Sequence, residues 1–96
     1  MRQVVVHLAG PLRPFAGDRS RLAVNAAGTT VGAALEALWA VCPGVRDRVL
    51  TEQGAVRPHV NVFVGTESIR FSGGLDTPVA DGAEISILPA VSGGGS

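Results

Sequence analysis

The hydrophobic positions of this chain change their spacing from one segment to the next, and each spacing predicts an element. Val4, Val5, Val6, His7 and Leu8 form an almost continuously apolar run closed by Gly10-Pro11, which predicts a first strand at the centre of a sheet. Residues 13–20, with Pro14, Gly17 and Asp18, read as a turn. Arg21, Leu22, Ala23, Val24 and Asn25 then alternate outward and inward, so a second strand pairs antiparallel with the first across a short connection. Thr30 is placed to cap a helix beginning at Val31, and Val31, Leu35, Leu38, Trp39 and Cys42 recur at helical spacing, an apolar stripe to lie on the sheet. Pro43-Gly44 ends that helix, residues 45–50 predict about one further turn with Arg46, Asp47 and Arg48 in water, and residues 51–58 read as a loop.

Alternation returns at Val60, Asn61, Val62, Phe63 and Val64, a third strand with its valines towards the core and Asn61 and Phe63 on the opposite face. Gly65 to Ser68 predicts a turn, Ile69 to Phe71 a short strand or extended piece, and Ser72-Gly73-Gly74 a loop that closes at Asp81-Gly82. The last strand, Ala83 to Leu88, points Ile85 and Ile87 inward and Ser86 and Leu88 outward. With the first and last strands both apolar enough to be central, a parallel pairing of the two, covered on one face by the main helix, makes an α+β fold of the β-grasp (ubiquitin-like) type with a mixed sheet. Another α+β sandwich fits the same pattern. The division expected is one domain over residues 1–89 and a flexible C-terminal tail over 90–96.

Composition narrows the chemistry. At 96 residues the chain builds one core, and 46% hydrophobic against 17% charged residues exclude a disordered chain. Phe15, Trp39, Phe63 and Phe71 are the whole aromatic complement, so the core is aliphatic. All eight basic residues are arginines, spread along the sequence, and the formal charge is zero, which predicts no footprint for nucleic acid. Without lysine no side-chain amine can act as nucleophile or Schiff-base former. The single cysteine, Cys42, excludes an internal disulfide and fits a reducing compartment. No stretch reaches the ~20 apolar residues of a membrane span and no signal peptide is apparent, so the expected location is cytoplasmic, with no membrane or nucleic-acid partner.

Few side chains outside the C-terminus suggest chemistry. Cys42 ends the apolar stripe and reads as a small buried hydrophobe, with no basic neighbour expected to activate it. His7 and His59 stand apart with no ligand pattern around them, so neither a metal nor a bound cofactor is expected. Ser72-Gly73-Gly74 lacks the continuation of a phosphate loop. Asp18, Asp47, Asp76 and Asp81 are scattered among turns, where aspartate bonds locally. Phe63 and Leu88, both on the face away from the helix, are candidates for a partner-docking patch, to which the aromatic Phe71 is added.

The C-terminus is different. Proline at 89 cannot donate to a ladder, so pairing on its N–H side should stop there, and Ala90, Val91, Ser92, Gly93, Gly94, Gly95 and Ser96 carry no large polar side chain. Extended, Pro89 to Gly94 reach roughly 20 Å, enough to enter a narrow site in another protein.

Val60-Asn61-Val62-Phe63-Val64, Arg70-Phe71-Ser72-Gly73-Gly74-Leu75, Thr77, Asp81-Gly82 and Ile87-Leu88-Pro89-Ala90-Val91 before Gly93-Gly94 resemble the ThiS/MoaD family of ubiquitin-like sulfur carriers. The likeness is nearest to its actinobacterial branch of thiocarboxylate-dependent cysteine synthesis, strong from Val60 onward and weaker before it. The resemblance implies a protein cosubstrate with no catalysis of its own. An ATP-using activating enzyme would adenylate the carboxylate of Gly94, beside Gly93, and a sulfur source would displace AMP to leave a thiocarboxylate. The acceptor implied is a PLP-dependent cysteine synthase, a thiazole synthase or another sulfur-incorporating synthase. Gly95 and Ser96 depart from the family's Gly-Gly end: they are either a precursor extension trimmed by a metallopeptidase or an appended linker. Other readings remain open: a ubiquitin-like modifier joined to lysines of other proteins, the small subunit of a molybdopterin-synthase-type complex, or a passive interaction module.

Overall fold

The computed structural model describes residues 2–89. Strand β1 (Arg2–Leu8) and β2 (Arg21–Ala26) form the expected antiparallel hairpin, with Val4 opposite Val24 and His7 opposite Arg21. Helices α1 (Val31–Val41) and α2 (Pro43–Val49) follow, then β3 (Val60–Val64), a two-residue β4 (Glu67–Ser68) and β5 (Glu84–Pro89). The sheet order is β2-β1-β5-β3-β4; β1 and β5 run parallel and every other pair antiparallel. This is the mixed β-grasp sheet that the hydrophobic pattern predicts.

Alternation decides which atoms face the helices. Val4, Val6 and Leu8 of β1, Leu22 and Val24 of β2, Val60 and Val62 of β3, and Ile85 and Ile87 of β5 are all buried. They meet the stripe Val31, Ala34, Leu35 and Leu38 of α1. Trp39, 8% exposed, is the one buried aromatic among the described residues, so the core is aliphatic as composition requires. Removing each such side chain from water contributes roughly 1.5–3 kcal/mol. Thr30 caps α1 as expected, its hydroxyl accepting from the Ala33 N–H at 3.2 Å.

Three local expectations are corrected. The first half of the turn expected over residues 13–20 belongs instead to a 3-10 helix, Gly10–Ala16, with Pro11 near its start and Gly17 in the left-handed region at φ 64° closing it. Leu12 and Ala16, four residues apart, give it a buried side against α2. Pro43 does more than end α1. Cys42 closes α1 through its N–H to the Leu38 carbonyl at 2.8 Å, and Pro43, needing no donor at a first helical position, begins α2, which buries Val45 and Val49. Ile69–Phe71 is a 3-10 turn rather than a strand, and the preceding Glu67–Ser68 pairs with β3 instead of lying in a turn. Ser68 caps the 3-10 turn. Its hydroxyl accepts from the Arg70 N–H at 3.4 Å, a local bond that competes with a ladder, while Ile69 is drawn into the core.

The last strand begins one residue later than predicted and runs through Pro89. Ala83 is held in a turn by its N–H to Ala80 O at 3.0 Å. Pro89 stays in register opposite Val60, whose carbonyl accepts from Arg70 Nη2 at 3.0 Å and whose N–H goes to Arg57 O at 3.0 Å, so Val60 needs no donor from the proline. A clamp sets the start of β5 on β1. The Gln3 N–H donates to Asp81 Oδ1 at 2.8 Å, Gly82 N–H to Gln3 O at 2.7 Å, and Val5 N–H to Ala83 O at 3.0 Å. Gly82 sits at φ 85°, which favours glycine. Asp81→Ala is therefore expected to lower stability by about 1 kcal/mol, seen as a fall of about 4–8 °C in Tm by calorimetry, with Asp81→Asn retaining most of it because an acceptor remains.

Candidate functional site at the exit of the C-terminal chain

Strand β5 is flanked on both sides, by β1 and β3, so the last described residue, Pro89, ends an interior strand of the sheet. The residues singled out for chemistry, Ala90 to Ser96 with Gly94 among them, lie outside the described residues, as does the expected tail.

The exit is rigidly framed. On the β1 side, the Ala9 N–H donates to Ile87 O at 3.2 Å and Leu8 N–H to Ser20 O at 2.8 Å. On the β3 side, Arg70 reaches back from its 3-10 turn and its Nη2 donates to Pro58 O at 2.6 Å and Val60 O at 3.0 Å. One guanidinium thus ties down the two carbonyls that precede and open β3, directly opposite Pro89. Arg57 donates from Nε to Asp47 O at 2.9 Å, fixing the 51–58 loop to α2, and the Arg48 guanidinium lies 4.3 Å over the Phe15 ring.

The outer face of the sheet carries the proposed docking residues. Phe63 stands opposite Ser86 and Asn61 opposite Leu88, which puts Phe63 and Leu88 on one diagonal, about 7–8 Å apart. Leu88 is 41% exposed and Phe63 half-buried. Half-buried Val5 lies on the same face beside Glu84. That face is not wholly apolar: His7 Nε2 and Glu84 Oε1 meet at 2.7 Å across β1 and β5. Phe71, 87% exposed, ends the 3-10 turn that follows β4.

Cys42 is buried, as its place in the stripe suggests, but the expectation of no basic neighbour is corrected. Arg19 Nη2 approaches its sulfur at 3.4 Å while Nε bonds Ala16 O at 2.8 Å. Arg19 is a fold contact brought in from 23 positions away, invisible to spacing. No group of three or more potential metal ligands occurs among the described residues, and none of their helices is long and apolar enough to cross a membrane. Arg70 carried no sign of its structural role beyond its place in the 70–75 motif, because a strap of this kind depends on where a turn aims a side chain.

Comparison with known proteins bears on the same region. The ThiS family model matches residues 6–94. The sulfur carrier protein CysO of Mycobacterium tuberculosis is 41% identical over 93 residues, covering 95% of this chain and 98% of its own length. The crystal structure of an Amycolatopsis orientalis BexX/CysO complex superposes with TM-score 0.84 and 34% identity, over 94% of this chain and 98% of the matched one. Small archaeal modifier protein 3 of Haloferax volcanii is 38% identical over 68% of this chain and 70% of its own.

Removing the Arg70 strap should loosen the exit without unfolding the core. Arg70→Ala is expected to speed amide exchange at the start of β3, at Val60 and Asn61, by about tenfold, while amides of β1 stay protected; hydrogen exchange read by NMR checks this, and Arg70→Lys should restore only part of the protection.

Proposed function

Because this chain belongs to the ThiS family, we propose that it is a sulfur carrier whose chemistry is confined to the carboxyl group of Gly94. One observation supports the reading: a central, doubly flanked strand ends at Pro89, five positions after its first residue and five before Gly94.

The chemistry requires the terminus to be activated. A free carboxylate is a poor electrophile, so an activating enzyme lets its oxygen attack the α-phosphorus of ATP, releasing pyrophosphate and forming an acyl-adenylate. A sulfur nucleophile then attacks the acyl carbon and AMP leaves with the bonding pair, giving a thiocarboxylate. Glycine suits both steps, because a side chain at 93 or 94 would obstruct the narrow sites that act on this end. Tethered to the body, the thiocarboxylate reaches an acceptor at high effective concentration and replaces free sulfide. The acceptor is a sulfur-incorporating synthase: a PLP-dependent cysteine synthase, a thiazole-synthase-like enzyme or one making a sulfur-containing metabolite. ATP and PLP belong to these partners.

Gly95 and Ser96 block Gly94 in a peptide bond, so a metallopeptidase or equivalent trimming step must precede activation. Residues 1–89 then act as the handle and 90–94 as the working arm, with Phe63 and Leu88 seated against the activating enzyme and Phe71 offering a separate contact. The modifier named among the relatives favours one second reading, in which the same activated glycine is joined to lysines of other proteins. The CysO relative covers more of the chain at higher identity, which favours the carrier. Intact mass of protein isolated from its native cells separates the two: a monomer ending at Gly94 with sulfur replacing oxygen supports the carrier, and higher-mass conjugates support the modifier.

With purified activating enzyme, protein still ending in Ser96 is expected to form no thiocarboxylate, while protein ending in Gly94 does; a thiocarboxylate mass on the chain that retains Ser96 sinks the trimming step. Phe63→Asp is expected to weaken binding to the activating enzyme by at least about tenfold in calorimetric titration while the domain stays folded, and an unchanged affinity would remove Phe63 from the docking face.

A further inference from the structure

The arginines, scattered in sequence, are gathered by the fold. The end of the sheet from which the chain leaves is built from the last residues of β1, the first of β2 and β3, the 3-10 helix and α2. Arg13 and Arg19 lie on and just after the 3-10 helix, Arg21 opens β2, Arg46 and Arg48 belong to α2, and Arg57 and Arg70 converge on the start of β3. Seven of the eight arginines therefore stand at this end, against Asp18, Asp47 and Glu52. The remaining arginine, Arg2, sits at the opposite end with Glu67, Asp76, Asp81 and Glu84, and Glu36 lies midway along α1. A chain with zero formal charge is thus strongly polarised along β5.

The cationic end has the form of a collar open on one side. Arg21 stands on the β2 side of the exit, Arg19, Arg46 and Arg48 on the helix side, and Arg57 and Arg70 on the β3 side. Several are held in place by Ala16 O, Asp47 O, Val60 O or the Phe15 ring, so little rotamer freedom is lost when a ligand meets them. We propose that this collar seats the chain on an acidic protein surface, a rim of carboxylates around the mouth of the channel that receives residues 90–94. This deepens the carrier reading and rests on it only for the identity of the channel.

The shape selects the partner. Set on three sides of Pro89, the arginines match a concave opening ringed by Asp and Glu better than a flat membrane plane or a duplex. Guanidiniums pair with carboxylates in two parallel hydrogen bonds, which adds register to attraction. At a Debye length of about 8 Å the acidic far end does not cancel this local field, and the polarity orients the approach so that the exit leads.

The probe is poly-L-glutamate, titrated into the 15N-labelled full chain while the arginine Nε–Hε signals are followed. The expected result is a shift of the Arg21, Arg48 and Arg57 signals with that of Arg2 unmoved, an affinity that falls at least about tenfold from about 20 to about 200 mM salt, and weaker binding of poly(U) and of phosphatidylglycerol vesicles. Arg13→Glu/Arg21→Glu should cost at least about tenfold in affinity with Tm retained, and Arg2→Glu nothing; Arg46→Glu/Arg48→Glu tests the collar from the helix side should the first pair perturb folding. Arg2 shifting with the others, no binding at low salt, indifference to both double variants, or tighter binding of poly(U) or vesicles overturns the proposal. None of these readouts involves sulfur, so the collar and the thiocarboxylate fail or stand separately.

Discussion

The structure depends on the parallel pairing of its first and last strands. Val6 stands beside Ile85 and Leu8 beside Ile87, and all four side chains are buried. Parallel neighbours cannot be joined by a tight turn, so everything between Ala9 and Ala83 acts as one long crossover that must close before the pair can form. The Asp81–Gly82 clamp on Gln3 brings the strands into register at one end, and the bond from Ala9 to Ile87 closes the other. Once closed, the last strand is an interior strand. Its unfolding requires breaking ladders on both sides, which places the exit of the chain on one of the most protected parts of the fold rather than on a fraying edge.

That arrangement gives the sheet two faces and the molecule two ends. The helix face is spent on the aliphatic core. The outer face, where Phe63, Leu88 and Val5 alternate with Ser86, Asn61 and the His7–Glu84 pair, is neither apolar enough to demand a permanent cover nor polar enough to be inert, the mixture expected of a surface that meets partners in turn. The ends differ by charge, and the chain leaves from the cationic one.

What was legible in the sequence followed from periodicity. Leu22 and Val24, Val60 and Val62, and Ile85 and Ile87 declared their strands and their faces because a two-residue period leaves one solution against a single helix layer. Thr30 declared the start of α1 because a cap acts within its own turn. Failures arose where a contact from elsewhere decided the local form. Leu12 and Ala16 become helical because α2 offers them a surface, Ile69 leaves the strand because the core takes it, and Arg19 reaches Cys42 across the fold. The arginine collar was hidden for the same reason: the groups at 13–21 and 46–57 and the single Arg70 reach one end of the sheet only through the fold. The candidate site itself was legible only through Gly93-Gly94 and the strand before it, since glycine at a terminus has no pattern of its own.

The use of arginine with no lysine suits the carrier reading. On the carrier reading, an acyl-adenylate forms a few residues beyond Pro89, and any side-chain amine tethered nearby would meet it at an effective concentration far above that of a free sulfur donor. A lysine in the collar would carry the same charge without the paired hydrogen bonds, and its deprotonated fraction would also attack the activated carbonyl, ending the cycle in a dead isopeptide. A guanidinium keeps its positive charge at every accessible pH and offers no free electron pair for that attack. A chain with eight arginines and no lysine can therefore surround an electrophile with cations without consuming it.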